Sequence, residues 1–369
     1  MQVLKIVKPK STRTDSVKRS EIMTYFNIHT YKSYCHFQKK MCDIFAVLVF
    51  ALVIFSSSLN AQEIEGNTLI SESHTSLAEG VLLGDLSKLD PLKKPGENFD
   101  LLDWSLTLPT DINKDKKADT VSEKPLAKGF NLKPFFYTAD DGGLVFASPN
   151  VGAKTSKNTK YARTELREML RRGNSRIKPR GLTKNNWVFG GAHGSMKAKS
   201  GAIEGSLEGT LAVNRVSNTG EEKKVGRVII GQIHATDDEP IRLYYRKLPG
   251  NSKGSIYFAH EINDGDDVWI NMIGSRSHTL ADPDDGIALN EKFSYKISVE
   301  DEVLFVTIIR EGKPNITKHY DMKDSGYSAG NQYMYFKAGV YNQNNGGADG
   351  DYVQATFYHI HNMHNGYKF

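Results

Sequence analysis

The chain has 369 residues, of which 39% are hydrophobic and 25% charged, a balance that excludes a disordered or fibrous chain and allows one large all-β domain or two ordinary ones. Its formal net charge of +5 is local in origin: residues 1–61 hold nine Lys or Arg against three Asp or Glu, leaving 39 basic and 40 acidic side chains beyond them. A remainder this close to neutral excludes general attraction to nucleic acid or a membrane surface, so any grip on a polyanion must come from a local patch.

Lys39 and Lys40 precede an apolar run over residues 44–55, followed by small residues and Ala61. That order reads as a secretory signal with an expected cut after Ala61, with Met23 or Met41 as alternative starts. The run of about 12 residues is shorter than the roughly 20 that span a bilayer, so no stable membrane anchor is expected. Cys35 and Cys42 both fall in this segment, which leaves the exported fold to rest on its core without disulfides. A free monomer, secreted or periplasmic, is the expectation.

Residues 62–97 are polar and mixed, and read as a linker or poorly ordered arm. The folded domain is placed at 98–369, opening where Trp104, Leu106 and Leu108 alternate with polar neighbours before Pro109. Alternating or apolar runs then recur at 143–147, 164–169, 205–213, 227–234, 241–245, 255–260, 293–299, 303–309, 333–343 and 352–361, separated by Asp-, Asn- and Gly-rich turns. Many short strands without helical periodicity predict an antiparallel β-sandwich or jelly roll with little helix.

Side chains alternate between the two faces of a strand. Residues 333–343 therefore divide into an apolar row, Met334, Phe336, Ala338 and Val340, and a second row, Tyr333, Tyr335, Lys337, Tyr341 and Gln343. Phenols, an ammonium and an amide are not the usual content of a wet face, and Gly339 is read as a gap that lets a ligand approach the backbone. Residues 163–169 place Arg163, Glu165 and Arg167 opposite Leu166, with Glu165 read as holding both guanidiniums ready for carboxylates. Residues 228–234 end with Gln232 and His234 on one face and Ile233 on the other. Singly, these rows are ordinary surface ladders or a structural histidine. Their coincidence points to a site.

Arg163-Thr164-Glu165-Leu166-Arg167, Gln232-Ile233-His234 and the run from Tyr335 to Gln343 resemble, in order and spacing, the three signature blocks of the alginate lyases of polysaccharide lyase family 7. The resemblance runs from about Glu97 to near the C-terminus, and it implies the concanavalin-like form of the jelly roll with a substrate groove on one sheet. It implies a catalytic set of Arg163, Gln232, His234 and Tyr341, with Arg167, Lys337 and Gln343 binding substrate. The strand rows add Glu165 and Tyr335 to that binding set. The substrate implied is alginate, an acidic polysaccharide, and the reaction is β-elimination giving 4,5-unsaturated oligosaccharides.

The residue types fit that chemistry. A C5 proton beside a carboxylate is a poor acid until the carboxylate is neutralised, the task suited to Arg163 and Gln232. A free imidazole with a pKa near about 6.5 is the easier base and a phenol near about 10 a ready acid. In guluronate the C5 proton and O4 lie on opposite faces, suiting His234 and Tyr341 as separate base and acid. In mannuronate they share a face, suiting Tyr341 for both. The Ile between Gln232 and His234 implies, by resemblance, a preference for guluronate-containing stretches.

No cofactor is required by this reaction. Asp111, Asn113, Asp115 and Asp119 open like a calcium loop, but Lys116 stands where Gly is needed and Ser122 at the twelfth place, so calcium is only weakly supported. His359, His361 and His364 are read as structural because no third ligand is fixed beside the first two. The paired carboxylates of a sandwich glycosidase are absent. The competing expectations are a non-catalytic carbohydrate-binding sandwich and a lyase acting on another uronan such as glucuronan.

Overall fold

Apolar and polar side chains alternate along the chain with a period of two, and the strands they produce stack into two layers. The computed structural model describes residues 76–367; residues 1–61, expected to be a secretory signal, and the first part of the expected linker lie outside the described residues. The first nine strands are β1 (Ser76–Glu79), β2 (Trp104–Thr107), β3 (Thr120–Val121), β4 (Phe136–Thr138), β5 (Leu144–Pro149), β6 (Arg163–Glu168), β7 (Trp187–Val188), β8 (Ala202–Arg215) and β9 (Arg227–His234). They are followed by β10 (Ile241–Arg246), β11 (Lys253–Glu261), β12 (Asp267–Ile273), β13 (Ile287–Ala288), β14 (Lys292–Glu300), β15 (Val303–Ile309), β16 (Pro314–Asp321), β17 (Tyr335–Asn342) and β18 (Tyr352–Asn365).

The back sheet runs β1-β16-β15-β14-β8-β18-β5-β4, with β7 beside β8, and the front sheet runs β12-β11-β10-β9-β17-β6-β2-β3, with β13 beside β11. All pairings between these strands are antiparallel except β7 with β8. Helix is confined, among the described residues, to Pro95–Asn98, Glu123–Ala127, Gly194–Lys199 and one 3-10 turn. The expected sandwich is therefore the fold found.

Residues 76–97 differ from the expectation of a linker or poorly ordered arm. Strand β1 pairs with β16 at the back-sheet edge, and Leu83 is fixed by Ser294 Oγ on its N–H and by Thr210 Oγ1 on its carbonyl. The open N–H and C=O groups of an edge strand are the physical reason: a polar segment with few apolar residues still has a backbone to pair. Strands β12 and β16 also escaped the sequence reading. β16 is half-buried along most of its length, so it lacks the alternation that marks a strand.

The core lies between the sheets. Leu106, Leu166, Ile230, Leu243, Phe258, Phe336, Ala338 and Val340 face Phe146, Leu211, Tyr295, Ile297 and Phe357, all fully buried. Each large apolar side chain so enclosed contributes about 1.5–3 kcal/mol. Tyr295 crosses the interior and donates its hydroxyl to the Ile230 carbonyl at 3.1 Å. Its ring fits because residue 231 is glycine: a Cβ there would stand 3.0 Å from it.

One buried ion pair joins the layers. Glu168 Oε1 accepts from His364 Nε2 at 2.7 Å and Asn362 Nδ2 at 2.6 Å, while Oε2 accepts from Trp187 Nε1 and the Phe336 N–H. His364 therefore points inward, whereas His359 lies 3.6 Å from Glu208, so the three C-terminal histidines do not converge. Burial alone would drive both charges out, but Glu168 more than offsets it and holds His364 above the ordinary imidazole value, and His364 helps to hold Glu168 below the usual carboxylate range. The histidine contribution is thus full below the unfolded value of about 6.5 and is lost as pH rises through the raised folded value. His364→Ala should lower the unfolding free energy by about 3 kcal/mol at pH 6, measured by urea denaturation. The gap from wild type should narrow as pH rises; a gap that widens at high pH would contradict the pairing.

Candidate active site

The three rows singled out in the sequence come from adjacent strands, because the front-sheet order places β17 between β9 and β6. Lys337 pairs across to both Arg167 and Gln232, Tyr335 pairs with His234, and Tyr341 pairs with both Arg163 and Ile229. Directly opposed residues share a face. Arg163, Glu165, Arg167, Gln232, His234, Tyr335, Lys337 and Tyr341 are therefore carried on one face of one sheet.

Gly339 plays a different part from the gap expected of it. It sits where the β17–β9 register shifts, with φ of +132°, and a Cβ there would lie 2.7 Å from the Thr164 carbonyl oxygen and 3.0 Å from Phe146. The missing side chain lets β17 bulge against β6 and the core. It opens nothing toward the groove.

Glu165 is 1% exposed, and its carboxylate is the centre of the site. It accepts from Arg163 Nη1 at 3.0 Å, from Gln232 Nε2, and from Lys337 Nζ. Burial by itself would raise the Glu165 carboxyl, but Lys337 and Arg163 together hold it below the usual range. Burial and the nearby Arg163 push Lys337 down to about 8. Two cations surround one anion, so the cluster keeps a positive charge for an incoming carboxylate.

Arg167 is not held by Glu165, contrary to the expectation. Its guanidinium donates to Glu168 O at 3.0 Å, Pro179 O at 2.8 Å and Asn186 Oδ1 at 3.0 Å. It lies 3.9 Å over the Tyr335 ring. The pleat brings Glu165 and Arg167 to one face, but the 179–186 loop supplies closer acceptors for the arginine. Gln343 is likewise turned along the backbone, donating to Asn342 O at 3.3 Å.

His234 Nδ1 lies 2.7 Å from the Ala235 carbonyl. A carbonyl only accepts, so Nδ1 carries the hydrogen and Nε2 keeps its lone pair. The ring stacks on Tyr335 at 5.0 Å between centroids and 16° between planes. Burial, followed by the field of Lys337, pushes His234 down to about 3, which keeps it neutral near pH 7. Tyr341 is raised from its ordinary value by burial, against the opposing effect of Arg163, whose guanidinium lies 3.5 Å over its ring. It stays protonated at neutral pH. One amide N–H of Gln232 is committed to Glu165 and the second remains to donate. Arg163 Nε and Gln232 Oε1 are buried without a hydrogen-bond partner among the described residues.

Two further features were missed in the sequence. Ile229, Tyr244, Tyr257 and Ala259 form a small apolar cluster with Trp269 and Tyr341, continuing the sheet face beyond Tyr341. Tyr244 and Tyr257 stack at 5.0 Å. The register shift between β10 and β9 breaks the period-two count there, so Ile229 joins the groove face out of phase with Gln232. Beside His234, Glu239 and Arg242 carry charges that the sequence reading passed over; the signal was the Asp238-Glu239-Pro240 turn following the Gln-Ile-His block.

By contrast, Asp111 and Asp119 are turned onto their own loop, accepting from Lys116 N and Ile112 N. Glu165→Ala should destabilise the fold by about 3–5 kcal/mol, because it leaves Arg163 and Lys337 buried without their anion. Pairing it with Lys337→Met should recover part of that loss in chemical denaturation; full additivity of the two substitutions would show that the cluster is not a unit.

Comparison with known proteins agrees with this geometry. The alginate lyase family model matches residues 99–364. An alginate lyase of Klebsiella pneumoniae is 52% identical over 279 residues, covering 73% of this chain and 91% of the relative. The crystal structure of the alginate lyase from Klebsiella pneumoniae is similar with a TM-score of 0.73 at 52% identity, covering 75% of this chain and 100% of that one. An alginate lyase of Pseudomonas aeruginosa reaches a TM-score of 0.53 at 26% identity, over 72% of this chain and 100% of its own. Alginate lyase A1-II', a member of polysaccharide lyase family 7, reaches 0.52 at 26% identity, over 74% and 99%. The chain thus belongs to the alginate lyases of polysaccharide lyase family 7.

Proposed function

We propose that this lyase cleaves alginate by β-elimination and favours guluronate-containing stretches, with Arg163 and Gln232 neutralising the uronate carboxylate, His234 taking the C5 proton and Tyr341 protonating O4. The C5–H and C4–O4 bonds break, a C4–C5 double bond forms, and no water is added. The observation that carries this reading is the pairing of a neutral imidazole, its Nε2 unprotonated, with a protonated phenol on either side of one cation-rich cluster.

By register, His234 lies at the Tyr335 end of β17 and Tyr341 at the Arg163 end, with Lys337 between them. A base and an acid reaching the sugar from different sides suit guluronate, whose C5 proton and O4 are on opposite faces. The raised Tyr341 makes its use as a base on mannuronate harder. Burial and then the fields of Lys337 and Arg163, only partly offset by Glu165, make His234 a weak base. A bound substrate carboxylate cancels much of that field, so the base strengthens when substrate arrives. Related support comes from A1-II', solved with a product (GGG) and with a substrate (GGMG).

In this mechanism the cluster supplies the positive charge and no cofactor takes part. We further infer export, from the basic and apolar order of residues 39–61.

A panel of polyguluronate, polymannuronate and glucuronan, followed by ultraviolet absorbance of the new conjugated double bond, tests the substrate. The fastest rise is expected on polyguluronate. Tyr341→Phe and His234→Ala should each lower kcat there by about 10²- to 10⁴-fold. Binding without rising absorbance would favour the carbohydrate-binding alternative for this site, and a fastest rise on glucuronan would overturn the polymer. A pH profile adds a second check. Lys337, held down to about 8, is charged below that value, so kcat/KM on polyguluronate should fall as pH rises through about 8. Lys337→Arg should move that limb upward; an unmoved limb would assign it to another group.

A further inference from the structure

Each turnover of the proposed elimination leaves a proton on His234 and takes one from Tyr341, so both groups must be reset before the next sugar reacts. Nδ1 offers no exit, since its hydrogen is held by the Ala235 carbonyl at 2.7 Å. Lys337 and Arg163 repel positive charge from the ring, and Tyr335 covers one of its faces. Nε2, by contrast, faces a group that can take a proton: Glu239 Oε1, at 3.4 Å.

That contact has no evident purpose in the resting enzyme. A neutral imidazole with its proton on Nδ1 presents a lone pair to the carboxylate, and two acceptors facing each other do not attract. The contact becomes favourable only once Nε2 is protonated, which is the state the reaction creates. An interaction that strengthens as charge develops is the kind that lowers a barrier.

Glu239 is held in place from outside the ring. Its N–H donates to Glu261 Oε2 at 3.3 Å, and Arg242 lies 3.9 Å from its Oε2 and 3.5 Å from Glu261 Oε2. Arg242 is itself anchored on Asp267. Burial and the adjoining Glu239 carboxyl push Glu261 up to about 7. The side chains of Glu239 and Glu261 are 21% and 23% exposed, so this group reaches water.

We propose that Glu239 is a positioning residue and the proton outlet of His234: its carboxylate stabilises the imidazolium, accepts the proton from Nε2 on Oε1, and releases it to water along the Glu261 and Arg242 edge. The transfer turns imidazolium and carboxylate into imidazole and carboxylic acid; loss of that proton to water restores Glu239, and the Tyr341 phenolate regains a proton from water, which completes the cycle. This rests on the reading of His234 as the base.

The test compares Glu239→Gln, Glu239→Asp and His234→Ala with wild type on polyguluronate, at fixed ionic strength with increasing acetate or imidazole buffer. Glu239→Gln should lower kcat about tenfold, equivalent to about 1.4 kcal/mol, with KM within about twofold. Its rate should climb with buffer concentration, as a small base replaces the lost carboxylate, while wild type stays flat. Glu239→Asp should retain most of the rate. An unaltered kcat in Glu239→Gln, or a loss that neither buffer nor aspartate restores, would overturn the outlet while an inactive His234→Ala leaves the base in place. An active His234→Ala would overturn both.

Discussion

A carboxylate buried among an arginine, a lysine and a glutamine is the interaction on which the site depends. An unpaired buried ion costs several kcal/mol, so Glu165 is stable at 1% exposure only because Arg163, Lys337 and Gln232 all donate to it. The converse also holds. Arg163 and Lys337 would repel each other if Glu165 were absent, and their separation is fixed by the anion between them. The charge left over on this cluster gives the groove a local attraction for a uronate.

The fold serves that arrangement in specific ways. Three donors converge on one carboxylate because β9, β17 and β6 are neighbours in a single sheet, so residues distant in sequence meet at the strand spacing of about 4.8 Å. The bulge at Gly339 and the slot for Tyr295 at Gly231 adjust the backbone beneath the cluster. Glu168, at the far end of β6, ties the same strand to the back sheet through His364 and Asn362. Rigid support of this kind holds charged groups in place before substrate arrives, which is the condition for electrostatic catalysis.

The sandwich was legible because alternation is a local property: β6, β9 and β17 could be divided into faces from spacing alone. The same argument put Arg163, Gln232, His234, Lys337 and Tyr341 on the polar faces of their strands, and the resemblance of the three blocks implied that those faces meet. It misassigned the partner of Glu165, since strand alternation names a face but not which of two arginines turns inward, and a loop contact with Pro179 and Asn186 decided for Arg167. The aromatic cluster of Tyr244, Tyr257 and Trp269 was hidden by a register shift that no period-two count can contain. The ordered residues 76–97 were hidden because backbone pairing leaves no mark on side-chain polarity. Glu239 lay outside the strand rows, in the turn that brings its carboxylate back to His234.

Charge neutralisation at the substrate carboxylate is the central claim, and it can be isolated by changing the substrate instead of the protein. Initial rates of wild type and Arg163→Ala should be compared on polyguluronate and on the same polymer with its carboxylates methyl-esterified. An ester needs no neutralising, so the penalty for losing Arg163 should be at least about tenfold smaller on the esterified polymer, a difference of about 1.4 kcal/mol in barrier. An equal penalty on both polymers would contradict the account.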